Sequence, residues 1–115
     1  MRMTTFNIGE FEELVLLAVA GLATDAYAVS IQKFIEERTG RVASMGAVYT
    51  ALERLEQKGF LSSGLGGVTH QRGGRRKRYY EITQSGIRAV SASRDARESL
   101  WRGLSLNVQP DRPAS

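Results

Sequence analysis

Hydrophobic and polar positions along the first half of the chain follow the period of an α-helix. Residues 9–22 carry apolar side chains at the i, i+3, i+4, i+7 spacing of one buried helix face, and residues 26–39 and 45–58 repeat this pattern. Thr24 or Asp25 is expected to cap the second helix, because both residues follow the break in the first periodic segment. The pattern therefore predicts three successive helices joined by short connections.

The second half of the chain has a different pattern. Residues 60–63 and 78–82 are typical of two short strands on either side of a glycine-rich loop, which predicts a β-hairpin. Thr83 is expected to cap a last helix that ends near Arg102 and has few apolar residues in its middle. Three helices followed by a two-stranded hairpin is the order of a winged helix-turn-helix. The predicted fold class is therefore α+β, mostly α, with a two-stranded β wing.

The same pattern divides the chain into four parts. A tail over residues 1–8 precedes a winged helix domain over residues 9–83, and the last helix occupies residues 84–104. Residues 105–115 contain both prolines and few apolar side chains, so this second tail is expected to be disordered. The length of 115 residues fits one such domain.

Composition excludes several kinds of chemistry. The chain has no cysteine, which removes disulfides and thiolate-bound metals, and its one histidine, His70, has no acidic neighbour in its glycine-rich segment. We expect no metal, no cofactor and no enzymatic activity, because no cluster of His, Asp and Glu is present to activate a serine or threonine. No apolar run approaches the ~18 residues of a membrane span, and no export signal is evident, so a cytoplasmic protein without a membrane partner is expected.

Positive charge is concentrated in one place. The formal net charge is only +4, but residues 72–78 contain five basic side chains and no acidic one, while the rest of the chain has 11 basic and 12 acidic residues. A local group of cations is suited to bind a phosphate backbone, because the affinity depends on how many cations reach it together. This basic segment precedes Tyr79 and Tyr80, which suggests that an ordered strand holds it.

The predicted fold and the basic segment together indicate double-stranded DNA as the partner. A major groove admits one helix, and a basic hairpin beside it can contact the flanking backbone or the minor groove. Helix 45–58 would enter the groove with its N-terminal half first, where Gly46 and Ala47 allow a close approach, and the segment 64–78 would form the wing. The candidate DNA-binding residues are Tyr27, Ser44, Gly46, Ala47, Tyr49, Thr50, Arg54, Arg72, Arg75, Arg76, Lys77 and Arg78.

Simpler interpretations stay open at this point. The third helix could be an ordinary amphipathic surface helix, and a run of charges is most often a solvated loop. An alternative function is a winged helix module that holds a protein partner and does not bind DNA. That alternative predicts an exposed apolar patch where the chain carries its basic segment.

Four segments resemble the PadR-like family of transcriptional regulators. They are Gly9–Glu12 with Leu14–Ala18, Asp25–Val29, Met45–Glu56, and Arg72–Tyr80 before Thr83. The resemblance covers residues 9–104, and its most specific parts are Tyr49–Glu56 and the wing that ends in the tyrosine pair. The chain departs from the family at Ala28, where a glycine commonly follows the tyrosine, and in its short C-terminal part, which puts a large effector pocket in doubt.

The resemblance implies a homodimeric regulator, expected to be a repressor of a palindromic operator with half-sites about 10 bp apart. It implies that helix 84–104 is a dimerisation helix that packs against the partner subunit, together with part of the first helix. The implied interface residues are Phe11, Ile87, Val90, Leu100, Trp101 and Leu104. Trp101 could instead pack within its own subunit. Dimeric relatives also suggest a small aromatic effector near the interface, with Trp101 as the candidate contact.

Overall fold

The computed structural model describes residues 8–66, 76–104 and 111. The helices are α1 (Glu10–Leu22), α2 (Ala28–Thr39), α3 (Met45–Gln57) and α4 (Gln84–Trp101), and the strands are β1 (Leu61–Leu65) and β2 (Arg78–Ile82). A short 3-10 turn, Ala23–Asp25, follows α1. This order confirms the predicted mostly helical α+β fold with a two-stranded wing. His70 and most of the two predicted tails lie outside the described residues.

Helix α1 lies at the centre of the core. Its residues Val15, Leu16 and Val19 are fully or almost fully buried, and they pack with Ile31 of α2 and Leu52 of α3. Burying side chains of this size is the main stabilising contribution available to a domain of this length. The three helices therefore form one hydrophobic core, on which the hairpin and α4 are placed.

Helix α2 begins later than the sequence predicts, and neither Thr24 nor Asp25 caps it. Tyr27 is the N-cap residue, with an extended backbone at φ −136° and ψ 170°. The Tyr27 N–H donates to Ser30 Oγ at 2.9 Å, and the Ser30 hydroxyl also contacts the carbonyl of Asp25 at 2.6 Å. The prediction was wrong because the 3-10 turn uses residues 23–25, so the reciprocal cap falls two to three residues further along the chain. At the other end, Gly40 closes α2 with φ 76°, as a C-terminal glycine is expected to do.

The hairpin pairs β1 with β2 in antiparallel register. Leu61 faces Ile82, and Leu65 faces Arg78. The backbone N–H of Tyr80 donates to the carbonyl of Ala26 at 2.9 Å, so the segment before α2 is attached to β2 in the manner of a third strand. This hydrogen bond fixes the hairpin against the start of α2.

A close backbone approach sets the direction in which α4 leaves the hairpin. Thr83 caps α4 by accepting a hydrogen bond from the Gly86 N–H at 3.0 Å, as the sequence predicts, and its hydroxyl donates to the carbonyl of Gly59 at 2.7 Å. Gly86 is buried against the backbone of Phe60, where a Cβ would lie 2.3 Å from the Phe60 carbonyl oxygen. Only glycine allows α4 to pass so close to the loop that precedes β1.

Two consecutive carboxylates of α1 hold the ends of α3 and α4. Glu12 Oε1 accepts from Lys58 Nζ at 2.8 Å and from the Gly9 N–H at 3.1 Å, and Lys58 is the C-cap residue of α3. Glu13 pairs with Arg97 of α4, and it also accepts from Ser93 Oγ at 3.2 Å. Both carboxylates are nearly buried, so each partner is needed to offset the cost of removing the charge from water. The first turn of α1 therefore connects the third and fourth helices.

Within residues 8–66 and 76–104, no single helix is long and apolar enough to cross a bilayer. The extended first helix and α2 reach that length and composition only as a pair bent by 119°. The same part of the chain contains no group of three His, Asp or Glu side chains that could hold a metal ion. The cytoplasmic location stays a prediction.

Candidate nucleic-acid interface

The N-terminal half of α3 presents small and polar side chains to water. Ser44 caps the helix, and its Oγ accepts from the Ala47 N–H at 3.0 Å. Val48 and Leu52 are buried on the inner side, whereas Tyr49 and Thr50 are exposed on the outer side. This amphipathic arrangement leaves one face of the helix exposed, and the major groove of DNA is wide enough to admit a helix.

The space around Gly46 is open. A Cβ at this position would meet only Ser44 Oγ, at 3.9 Å, so no contact within the protein requires a glycine here. Ala47 beside it is also exposed. The start of α3 is therefore a smooth surface that another molecule can approach closely. Arg54, on the last turns of the same helix, is exposed as well, and its charge helps to lower the pKa of Glu12.

The base of the wing carries the basic residues that the structure describes. Arg76, Lys77 and Arg78 are all exposed, and the Gly66 N–H donates to the Lys77 carbonyl at 2.6 Å, which continues the strand pairing toward the wing tip. Arg72 and Arg75 lie outside the described residues. The cations nearest the strand are thus attached to a hydrogen-bonded ladder.

Arg78 differs from its two basic neighbours, because its guanidinium group is bound within the protein. Arg78 Nη1 donates to Ser63 Oγ at 3.0 Å, and the Ser63 hydroxyl donates to Glu56 Oε2 of α3 at 2.7 Å. This chain of hydrogen bonds joins the wing to α3. Arg76 and Lys77 have no hydrogen bond or ion pair of this kind among the described contacts.

One groove brings the three elements together. It has a volume of about 450 Å³, and it lies between the start of α2, Tyr49 of α3 and the base of the wing. Its lining includes Tyr27, Tyr49, Arg76, Lys77 and Arg78. Aromatic and cationic groups thus lie on one surface. The cations can contact the phosphates of a nucleic acid, and the aromatic rings can contact its apolar parts.

Sequence reasoning missed the contacts that organise this surface. Lys77 Nζ lies 4.1 Å from the centroid of the Tyr27 ring, and the Tyr79 ring packs edge-on against Tyr27 at 5.6 Å. Helical periodicity placed Tyr27 inside the second helix, so its position beside the wing was not evident. The pairs Glu12–Lys58 and Glu13–Arg97 were also missed, because residues 46 and 84 positions apart have no spacing signal.

The residues expected at a dimer interface divide into two groups. Phe11 and Val90 are half-buried and pack against the core. Ile87, Leu100, Trp101 and Leu104 are exposed, with Leu100 at 77% and Trp101 at 61% of their full accessible surface. Trp101 is therefore mostly exposed in the single subunit, and its role at a dimer interface stays a prediction.

Known proteins agree with this fold. A transcription factor described as PadR-like from Bacteroides fragilis is 22% identical and superposes with a TM-score of 0.68, covering 80% of this chain and 84% of that one. A transcriptional regulator from Clostridium thermocellum is 26% identical, with a TM-score of 0.65 and the same coverages. A PadR family regulator from Clostridium difficile is 22% identical, with a TM-score of 0.65, covering 80% of this chain and 92% of that one. No curated protein sequence matches the chain.

The three-helix core, the wing and the shared groove define a winged helix-turn-helix protein. The family model described as "Transcriptional regulator PadR-like family" matches residues 16–92. That match covers more than half of the chain, so the chain belongs to the PadR-like family. It is a DNA-binding transcription regulator and not an enzyme.

Proposed function

We propose that the chain represses transcription by binding a palindromic operator as a homodimer. In each subunit, α3 occupies the major groove, and the wing contacts the flanking backbone or minor groove. Residues 9–83 form the DNA-binding domain, and residues 84–104 form the dimerisation helix. The DNA contacts come from the residues predicted above on the second and third helices and the wing.

The observation that carries this proposal is the shared groove. Tyr49, on the exposed face of α3, and the cations at the base of the wing line the same concave surface, so one DNA duplex could contact both. The unobstructed start of α3 at Gly46 adds the close approach that reading base edges requires. We assign base discrimination to Thr50 and Tyr49, which are exposed on α3, and phosphate binding to the wing cations.

Selection of bound sequences from random DNA, followed by titration of the selected duplex, tests the DNA-binding part. Gly46→Phe fills the open surface of α3 without a clash inside the protein, so we expect at least a 10-fold loss of affinity and an unchanged fold. Glu37→Phe adds the same bulk at an exposed position of α2 away from the groove, and it should bind as the unmodified chain does. Equal affinities for both variants would refute the placement of α3.

The dimer is supported by an apolar surface without a partner. From Arg94 onward α4 has no buried residue, and its last turn and the residue after Gly103 expose Leu100, Trp101 and Leu104. Apart from the pair of Arg97 with Glu13, this part of the helix gains little from packing, and so a second copy that covers these residues would stabilise it. Leu17 of α1 and Ile87 of α4 are further exposed apolar residues of the same two helices.

Trp101 offers a direct measurement of assembly, because it is the only tryptophan of the chain. We expect its fluorescence to shift to shorter wavelength as the protein concentration rises, and sedimentation to report a dimer. Trp101→Asp should give a monomer that keeps the winged helix domain folded. Val42→Asp changes another exposed apolar residue, in the turn before α3, and should stay dimeric. A monomer at all concentrations in the unmodified chain would overturn this part.

Repression and the aromatic effector rest on the family resemblance. Transcription in vitro from a promoter that contains the selected operator distinguishes a repressor from an activator. A small aromatic effector would need both subunits to enclose it, since Trp101 is exposed in one subunit. Quenching of Trp101 fluorescence by the effector, with loss of operator binding, is the expected result. Failure to select any sequence from random DNA would favour the protein-interaction alternative.

A further inference from the structure

Tyr27 is held in an unusual place for an aromatic residue that precedes a helix. Its backbone is fixed by the reciprocal hydrogen bond with Ser30, and the neighbouring Ala26 carbonyl accepts from the Tyr80 N–H of β2. Both hydrogen bonds act on the peptide group that joins Ala26 to Tyr27. As a result the backbone of Tyr27 is attached to the hairpin, and the residue lines the groove at the base of the wing.

Two wing side chains, Lys77 and Tyr79, pack against the Tyr27 ring. The Lys77 ammonium lies 4.1 Å from the Tyr27 ring centroid, which is a cation–π contact, and the Tyr79 ring meets Tyr27 edge-on with an interplanar angle of 68°. On its other side, Tyr79 closely approaches Gly66, where a Cβ would lie 2.3 Å from the Tyr79 ring. Gly66 thus contacts Tyr79, Tyr79 contacts Tyr27, and the Tyr27 ring contacts the Lys77 ammonium.

We propose that Tyr27 is a positioning residue of the DNA-binding surface, which acts by holding the Lys77 ammonium in place before DNA arrives. This inference rests on the proposed DNA-binding function and assigns Tyr27 a role other than direct contact alone. An ammonium group has three N–H donors, so a cation over an aromatic ring keeps donors for a phosphate oxygen. A lysine side chain that is already ordered loses less conformational entropy on binding than a free one.

The proposal makes Tyr27 and Lys77 energetically dependent on each other. Tyr27→Leu removes the ring, and we expect a loss of operator affinity of roughly 3- to 10-fold, the size of a partly exposed cation–π contact. Lys77→Ala should lose at least as much. The double variant should bind no more weakly than Lys77→Ala alone, because the ring has no further effect once the ammonium is gone.

Salt dependence separates positioning from a general structural role. Each phosphate contact contributes about 0.9 to the slope of log affinity against log salt concentration, so losing Lys77 in both subunits should lower the slope by roughly 2. Tyr27→Leu should also make the slope shallower. Tyr27→Phe keeps the ring and should retain the full slope. Lys33→Ala removes an exposed cation of α2 outside the groove and should leave the slope unchanged.

The outcomes distinguish this inference from the function on which it rests. If the unmodified chain binds no DNA, the proposed function fails. If the unmodified chain and Tyr27→Leu bind with the same salt slope while Lys77→Ala lowers it, only the positioning role is overturned. Additive losses in the double variant would also overturn it. Thermal unfolding of each variant shows that the domain is folded, since the Tyr27 ring is only half-buried.

Discussion

Two glycines at the starts of helices differ sharply in what surrounds them. Gly86 lies against the Phe60 carbonyl, whereas Gly46 faces open space. Gly86→Ala should lower the free energy of unfolding by about 2 kcal/mol, because backbone atoms must move to admit the methyl group. Gly46→Ala should raise it by up to about 1 kcal/mol through helix propensity. Urea unfolding measures both changes, and equal effects would contradict the close approach.

Glu12 gives the fold a dependence on acid. Burial by itself raises the pKa of this carboxyl, but hydrogen bonds from Lys58 and the Gly9 N–H, with the charges of Lys58 and Arg54, outweigh burial and lower the pKa below 4.5. A carboxyl whose pKa is lower in the folded state stabilises the fold at pH values above its unfolded pKa. This contribution is lost as the pH falls through the folded pKa.

We therefore expect Glu12→Gln to destabilise the protein at pH 7 by roughly 1–3 kcal/mol, since the nearly buried site loses a charge-assisted partner for Lys58. The difference in unfolding free energy should be constant at neutral pH and shrink as the pH falls below about 4.5. Glu10→Gln is the matched control, because Glu10 is exposed and its contact with Arg41 is longer, at 3.4 Å. A difference that does not change with pH would contradict the role of the charge.

At the scale of elements, α4 consists of two parts with different support. Gly86 and Ala89 are buried against the core, whereas residues 94–104 are exposed. Amide hydrogen exchange should show protection of residues 86–93 at every protein concentration. Protection of residues 94–101 should appear only where the protein is dimeric, and Trp101→Asp should abolish it. Uniform protection along α4 in a monomer would argue that the helix needs no partner.

The elements were largely predictable because their signals are local. Apolar positions at helical spacing predict α1 and α3, and the caps at Ser44 and Thr83 act within three residues. The start of α2 was not predictable, because the 3-10 turn before it competes for the residues that favour caps. The structure also buries Leu16, since α1 is covered on more than one side. Leu16 is not one of the residues at the predicted helical spacing, which are Phe11, Leu14, Val15, Ala18, Val19 and Leu22.

The candidate site was predictable in its charges and not in its organisation. The basic segment is visible in the sequence, but the exposure of a side chain and its partner depend on which elements meet in space. Tyr27 and Lys77 are fifty positions apart in the numbering and share no motif. Gly86 likewise resembled any glycine near a helix start, because its close approach depends on a residue of another loop.

At the scale of the whole molecule, operator binding should depend steeply on salt. A dimer that brings the basic side chains of two wings to DNA should show a slope of roughly −4 to −9 for log affinity against log salt concentration. Replacing Arg76 and Lys77 by alanine should reduce the slope and weaken binding to all sequences similarly, whereas Thr50→Ala should change which sequences are preferred. A flat response to salt in the unmodified chain would refute the electrostatic contribution.

The contact of Gly86 with Phe60 has a consequence for the DNA itself. Because it fixes the angle between α4 and the winged helix domain, it would also fix the phase between two α3 helices joined through α4. One extra base pair between the half-sites turns the second half-site by roughly 35° around the duplex axis. A rigid junction cannot follow that rotation, so operators with an inserted central base pair should be bound poorly. The backbone packing of one glycine would then limit which promoters the protein can control.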